Sequence, residues 1–247
     1  MTMEKNKLEI CCFDLESAII AADAGADRVE LCADPSSGGT TPGLGLIKVV
    51  RKKIGIELCP IVRIRGGDFL YSLEEFEVMM HEVDACKLAG CEGVVIGMLL
   101  PDGRVDRVNI SKLVEKAYPM SVCFHRAFDW ARNPFEALED IIETGCERVL
   151  TSGQQPTAQL GVSLIRDLVV QADERIRIMP GSGIRASNIL NIKNATGAIE
   201  FHSSARVAKK SLMQFVQTSM NEDQSTVIAD KYEIEKMISL LYRNPDQ

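Results

Sequence analysis

The chain has 247 residues, 46% of them hydrophobic and 26% charged, with a formal net charge of −7 and a pI near 5.2. That balance excludes a disordered chain, and its acidity excludes a protein that grips nucleic-acid phosphates through a basic face. No stretch reaches the length of a membrane span, and residues 1–7 lead into the first strand without an apolar signal run, so the expectation is a cytoplasmic protein with neither nucleic acid nor membrane as partner.

Along the chain, short apolar runs over 8–12, 28–33, 57–64, 93–98, 121–126, 148–152, 176–180 and 198–203 read as strands. Helical periodicity fills 14–24, 44–53, 73–89, 109–117, 134–144, 160–172 and 187–193, and 230–243 supplies a closing helix. Asp14 and Ser72 suit N-cap positions, Asn133-Pro134 places proline in a first turn, and Gly25, Gly90 and Gly145 stand where helices stop. Strict alternation predicts parallel strands with right-handed crossovers. Eight such units in about 250 residues predict an α/β fold of the (β/α)8 TIM-barrel type, one domain over 1–247. Two segments interrupt the rhythm: the loop 34–45 after the second strand, and the polar stretch 206–229 after the eighth, a lid or a surface excursion.

Several strands carry apolar residues at one parity and reactive or charged residues at the other. Side chains alternate across a strand, so Leu8, Ile10, Val29, Leu31, Val62, Ile64, Phe124, Ile199 and Phe201 are expected to face the helices. Glu9, Cys11, Glu30, Cys32, Arg63, Arg65, His125, Glu200 and His202 are then expected to face the barrel axis, where Val, Ile and Leu are usual. Buried charges need partners, so the glutamates and the two arginines are expected to compensate one another, either as an internal filling network or as part of a functional site.

Residues at strand ends lie nearest the mouth, which selects Cys32, Arg63, Arg65, His125, Asp129 and His202 over Glu9. Arg63 and Arg65 suit an anion, either a ligand's or the carboxylate of Glu30. Gly181-Ser182-Gly183 after the seventh strand lets backbone N–H groups approach a phosphate. His125 and His202 are candidates for proton transfer or metal ligation, alongside Glu30 and Asp129 as catalytic carboxylates; the third histidine, His81, falls in a helix. Trp130 is either a lid aromatic or packing. The eight cysteines include no Cys-x-x-Cys pair and read as reduced thiols. Cys11 and Cys32 fall on adjacent strands at similar height; as soft ligands they suit Cu(I), and otherwise they act as small buried hydrophobes.

Leu8-Glu9-Ile10-Cys11-Cys12, Asp27-Arg28-Val29-Glu30-Leu31-Cys32, Gly38-Gly39-Thr40-Thr41-Pro42, Arg65-Gly66-Gly67-Asp68-Phe69, Phe124-His125-Arg126-Ala127-Phe128-Asp129, Leu150-Thr151-Ser152-Gly153 and Phe201-His202-Ser203-Ser204-Ala205 together resemble the copper homeostasis protein CutC family. The resemblance runs over about residues 8 to 205, with Ile64 standing where the family pattern commonly has proline. It implies a cytoplasmic TIM barrel, often a homodimer, associated by name with copper, and it points to Cys11, Cys12 and Cys32 as the thiols concerned.

Two functions follow as expectations. The first is a copper homeostasis protein holding Cu(I) through Cys11 and Cys32, helped by His125 or His202. The second is a barrel enzyme acting on a small anionic or phosphorylated metabolite, with Arg63, Arg65 and Gly181 to Gly183 holding the anion while Glu30, His125, Asp129 or His202 moves protons.

Overall fold

The structure, a computed structural model, describes residues 5–242; position 243 of the closing helix and residues 1–4 lie outside the described residues. Strands and helices alternate as β1 Lys7–Cys12, α1 Leu15–Asp23, β2 Arg28–Leu31, α2 Leu44–Lys53, β3 Glu57–Pro60, α3 Leu73–Leu88, β4 Gly93–Ile96 and α4 Arg107–Ala117. They continue as β5 Ser121–Phe124, α5 Pro134–Thr144, β6 Arg148–Thr151, α6 Val162–Ala172, β7 Arg177–Pro180, α7 Ile189–Thr196 and β8 Glu200–Ser203. A hairpin of β9 Arg206–Lys209 and β10 Thr226–Ala229 precedes α8 Lys231–Tyr242. Two parallel four-stranded ladders, β3-β2-β1-β8 and β4-β5-β6-β7, are joined by a parallel bridge between Ile61 and Val95 and by the packing of β7 beside β8. This is the (β/α)8 barrel expected from the alternation.

Local chemistry places the helices as the residue types require. Asp14 caps α1 by accepting from the Ser17 N–H at 2.8 Å. At α3, Ser72 Oγ accepts from the Glu75 N–H at 3.2 Å while the Glu75 carboxylate accepts from the Ser72 N–H at 2.8 Å, a complete capping box. We expect Ser72→Ala to lower the unfolding free energy by about 1 kcal/mol, read as a shift of the urea midpoint at unchanged slope.

The period-2 division of the strands holds. On β1, Leu8, Ile10 and Cys12 pack outward against the helices with Val29, Leu31 and Phe201. Cys11 instead joins Cys32, Cys59, Val95, Cys123 and Met179 inside the barrel. Cys12 is therefore on the opposite face from Cys11 and Cys32, which corrects the grouping of all three thiols.

Several strands end earlier than their apolar runs. The run 57–64 stops as a ladder at Pro60, because beyond Ile61 and Val62 the Arg63 N–H donates to Thr41 Oγ1 at 2.9 Å, turning the chain toward the 34–43 loop. The run 121–126 stops at Phe124, because His125 Nδ1 accepts from the Ala127 N–H at 3.1 Å and starts a 3-10 turn over Arg126–Trp130. The stretch 206–229 contributes β9 and β10, which dock on α1 through the Ala229 N–H to Ser17 Oγ bond of 3.1 Å and a Lys209–Glu16 ion pair.

Candidate functional site

The barrel interior is built from the N-terminal end of the strands upward. Register sets Glu9 of β1 beside Arg28 of β2 and His202 of β8. Arg28, only 1% exposed, donates through Nε to Glu9 and through Nη2 to Glu200 at 2.7 Å; Arg148 Nε reaches the same Glu200 carboxylate at 3.0 Å. The arginines that neutralise the interior glutamates are thus Arg28 and Arg148, not Arg63 and Arg65. Burial would raise the Glu9 carboxyl, but the Arg28 charge and the His202 bond outweigh it and hold Glu9 at about 2.

The fixed Glu9 carboxylate accepts from His202 Nδ1 at 2.7 Å, and His202 Nε2 stands 3.7 Å from Glu30. Burial opposes charge on this ring, yet its contacts with Cys11 and Glu9 and the nearby carboxyls raise it well above the usual histidine value. Next to it, Cys11 Sγ lies 3.6 Å from Cys32 Sγ. The proton of this contact belongs on Cys32, since Cys11 is the sulfur that faces cationic His202. Donation from Cys32 and the proximity of His202 together outweigh burial and bring Cys11 down to about 5, whereas burial and the bond to Cys11 push Cys32 well above the usual thiol value. Burial, and then the Cys11 charge, raise Glu30 well above the usual carboxyl value. Ligand atoms of Cys11, Glu30 and Cys32 lie within 4.8 Å of one another, so one ion can touch all three.

Above this cluster opens a cavity of about 960 Å³, whose wall includes Cys11, Glu30, His202, His125, Arg63 and the loop Ser182 to Arg185. Among the expected site residues, Cys11, Glu30, Arg63, His125, Ser182, Gly183 and His202 therefore share one cavity. Cys32 sits just behind Cys11, and Gly181 is placed where β7 meets β8: a Cβ there would lie 2.4 Å from Leu150 Cδ1 and 3.3 Å from the His202 ring.

Three expected residues do structural work. Arg65 braces the loop after β3, bonding Glu75 at 2.6 Å and Asp68 at 3.0 Å, and is not part of the cavity wall. The Asp129 carboxylate is saturated by Thr151 Oγ1 at 2.5 Å, Arg126 Nε at 2.8 Å and the N–H groups of Ser152 and Gln154, so it ties the β5 turn to the end of β6 and has no lone pair left for proton transfer. Arg63 gives its terminal nitrogens to the carbonyls of Ser37, Gly39 and Gly67 at 2.7 to 2.9 Å, which pins two mouth loops together. Trp130 lies on the cavity rim and is 73% exposed, which makes it a rim aromatic and not core packing. Arg28 was legible in the sequence by parity, two residues before Glu30 on the same strand, and Glu9 belongs to the site although it lies below the strand ends.

The family model described as the CutC family matches residues 6–207. A CutC family protein of Chromobacterium violaceum is 49% identical over 208 residues, 84% of either chain, and one of Parabacteroides distasonis is 48% identical, covering 85% of this chain and 87% of the relative. The crystal structure of CutC from Streptococcus agalactiae superposes with a TM-score of 0.77 at 28% identity, over 81% of this chain and 98% of that one. Phosphoribosylanthranilate isomerase of Thermotoga maritima superposes with a TM-score of 0.57 at 12% identity, over 96% of this chain and 98% of that one, a likeness of fold alone.

Proposed function

The chain belongs to the CutC family, and from that premise we propose that it serves copper homeostasis by holding one Cu(I) ion between Cys11 and Cys32. The name of the Streptococcus agalactiae relative ties that protein to copper homeostasis. The observation that carries the reading is the pair of inward sulfurs 3.6 Å apart, one of them already acidic beside a cationic histidine. Soft thiolates select Cu(I), and Cys11 and Cys32 are the sulfurs whose ligand atoms lie together with the harder Glu30 carboxyl, so they are assigned as its ligands. His202, held by Glu9, acts as the charge that keeps Cys11 deprotonated. All eight cysteines are free thiols, which supports a reducing, cytosolic setting. Among the described residues no helix is long and apolar enough to cross a membrane.

A Cu(I) competition titration under reducing conditions tests the assignment. Wild type is expected to bind one ion per chain, and Cys11→Ser or Cys32→Ser to weaken it by more than about 100-fold. Binding that survives both substitutions refutes the thiol pair. Because Cys11 is deprotonated and Cys32 is not, uptake releases one proton, so affinity rises about tenfold per pH unit near neutrality. A hundredfold slope would place a proton on Cys11 as well.

A further inference from the structure

His125 Nε2, on a side chain 3% exposed, is a buried donor in the cavity wall with no partner among the described residues; Arg63, also in the wall, has the Tyr71 hydroxyl as a hydrogen-bond partner. His125 Nδ1 is occupied as the acceptor of the Ala127 N–H, so the proton of the neutral ring sits on Nε2. Burial and the Arg63 charge hold that ring neutral, with its pKa down at about 3. Arg63 and His125 both pack on Phe69, which lies 4.9 Å from Arg63 Cζ and 5.0 Å from the His125 ring. The His125 donor lacks an acceptor, and a buried donor left unmade is costly.

A second set of donors, half-buried to exposed at Ser182, Gly183 and Ser204, belongs to the same cavity. The N–H groups of Ser182, Gly183, Ile184 and Ser204 have no acceptor among the described residues, and all four residues contribute to the wall. Ser182 and Gly183 hold consecutive positive φ angles of 74° and 78°. This conformation is kept by the neighbouring loop, where Ser182 Oγ donates to the Pro156 carbonyl at 2.8 Å and the Ala158 N–H donates to the Ser182 carbonyl at 3.0 Å. Arg185 and Arg206 stand on the same wall, joined by an Arg185 Nη2 to Arg206 carbonyl bond of 2.9 Å. Consecutive unpaired N–H groups with two guanidiniums make an anion cradle. A carboxylate has only two oxygens for that many donors, whereas the three terminal oxygens of a phosphate monoester suit them.

We infer that the cavity binds a small phosphorylated organic molecule, its phosphate on the Ser182–Ile184 and Ser204 N–H groups beside Arg185 and Arg206, and a carbonyl or hydroxyl oxygen at its other end accepting from His125 Nε2. Its volume of about 960 Å³ is in the range of metabolite sites. Nothing in this assignment requires copper, and the donors it uses are not the thiols.

Calorimetric titration of the reduced, metal-free full chain with ribose 5-phosphate, glycerol 3-phosphate, inorganic phosphate and unphosphorylated ribose tests it. The phosphorylated sugars are expected to bind and ribose not to, a comparison that needs no variant. Arg206→Gln, at an exposed position, is expected to weaken inorganic phosphate and ribose 5-phosphate alike by about tenfold. His125→Asn is expected to weaken ribose 5-phosphate by about tenfold while leaving inorganic phosphate unchanged, which is the mark of a two-ended site. Equal binding of ribose and ribose 5-phosphate, or no binding of any phosphorylated probe at millimolar concentration, overturns the inference. So does a folded His125→Asn variant that loses inorganic phosphate and ribose 5-phosphate in equal measure.

Discussion

Arg28→Met is expected to lower the unfolding free energy by about 3–5 kcal/mol, measured as the fall in the urea midpoint at pH 7. The methionine replaces the stem but not the guanidinium that neutralises Glu9 and Glu200, which are 1% and 5% exposed and are left as buried carboxylates with one fewer cation. The loss measures an uncompensated charge and not the net worth of the ion pair, so adding Glu9→Gln to the same chain is expected to restore part of it. A double variant no more stable than Arg28→Met would show that Glu9 is not the stranded charge.

The same substitution changes the pH dependence. In the wild type, Glu9 titrates at about 2 in the folded chain against an ordinary 4.5, so the unfolded state binds its proton first. Its stabilising contribution is complete above 4.5 and is lost as the pH falls from there toward 2. Without Arg28 the largest force holding Glu9 low is gone, so its folded-state value moves up toward the ordinary one. The loss of stability between pH 4.5 and 2 that Glu9 causes is then expected to be shallower in Arg28→Met than in the wild type.

Gly161→Ala is expected to cost about 3 kcal/mol or more, for a steric reason and not a conformational one. Its φ of −90° is open to any residue. A Cβ would nevertheless fall 2.0 Å from the Ser152 carbonyl oxygen and 2.8 Å from Gly153 Cα, main-chain atoms that can yield only by opening the loop between β6 and α6. That loop carries Pro156 and Ala158, which hold Ser182, so the substitution is also expected to disturb the cavity wall. Gly45→Ala is the control: it lies in the first turn of α2 with nothing within 4 Å of its Cβ, and is expected to stabilise by about 0.5–1 kcal/mol. If Gly161→Ala unfolds at the wild-type urea midpoint, the close approach of the two backbones is not a constraint.

The sequence by itself determined the succession of elements and the side of the sheet on which each strand residue lies. Both are local properties: helix caps and glycine stops act within a turn, and the pleat alternates side chains with a period of two. Leu8 and Ile10 outward, Cys11 and Cys32 inward, and α2 over 44–53 and α5 over 134–144 follow from those rules alone. The same parity extends to Arg28, which the inward set did not include, although it names no partner for it.

Only the tertiary structure decided which inward groups meet, because partners across a closed barrel depend on strand order, register and height, none of which a single strand encodes. Arg28 of β2 reaches Glu9 on β1 and Glu200 on β8, while Arg63 is captured by loop carbonyls that no local pattern brings near it. Asp129 is used up by donors from residues 151–154, twenty-odd positions away, and His125 is left with an unpaired nitrogen because the turn after it takes the other one. Chain entropy makes such distant pairings invisible in sequence: they form only when the whole sheet has closed, and each is selected by the burial that closure imposes.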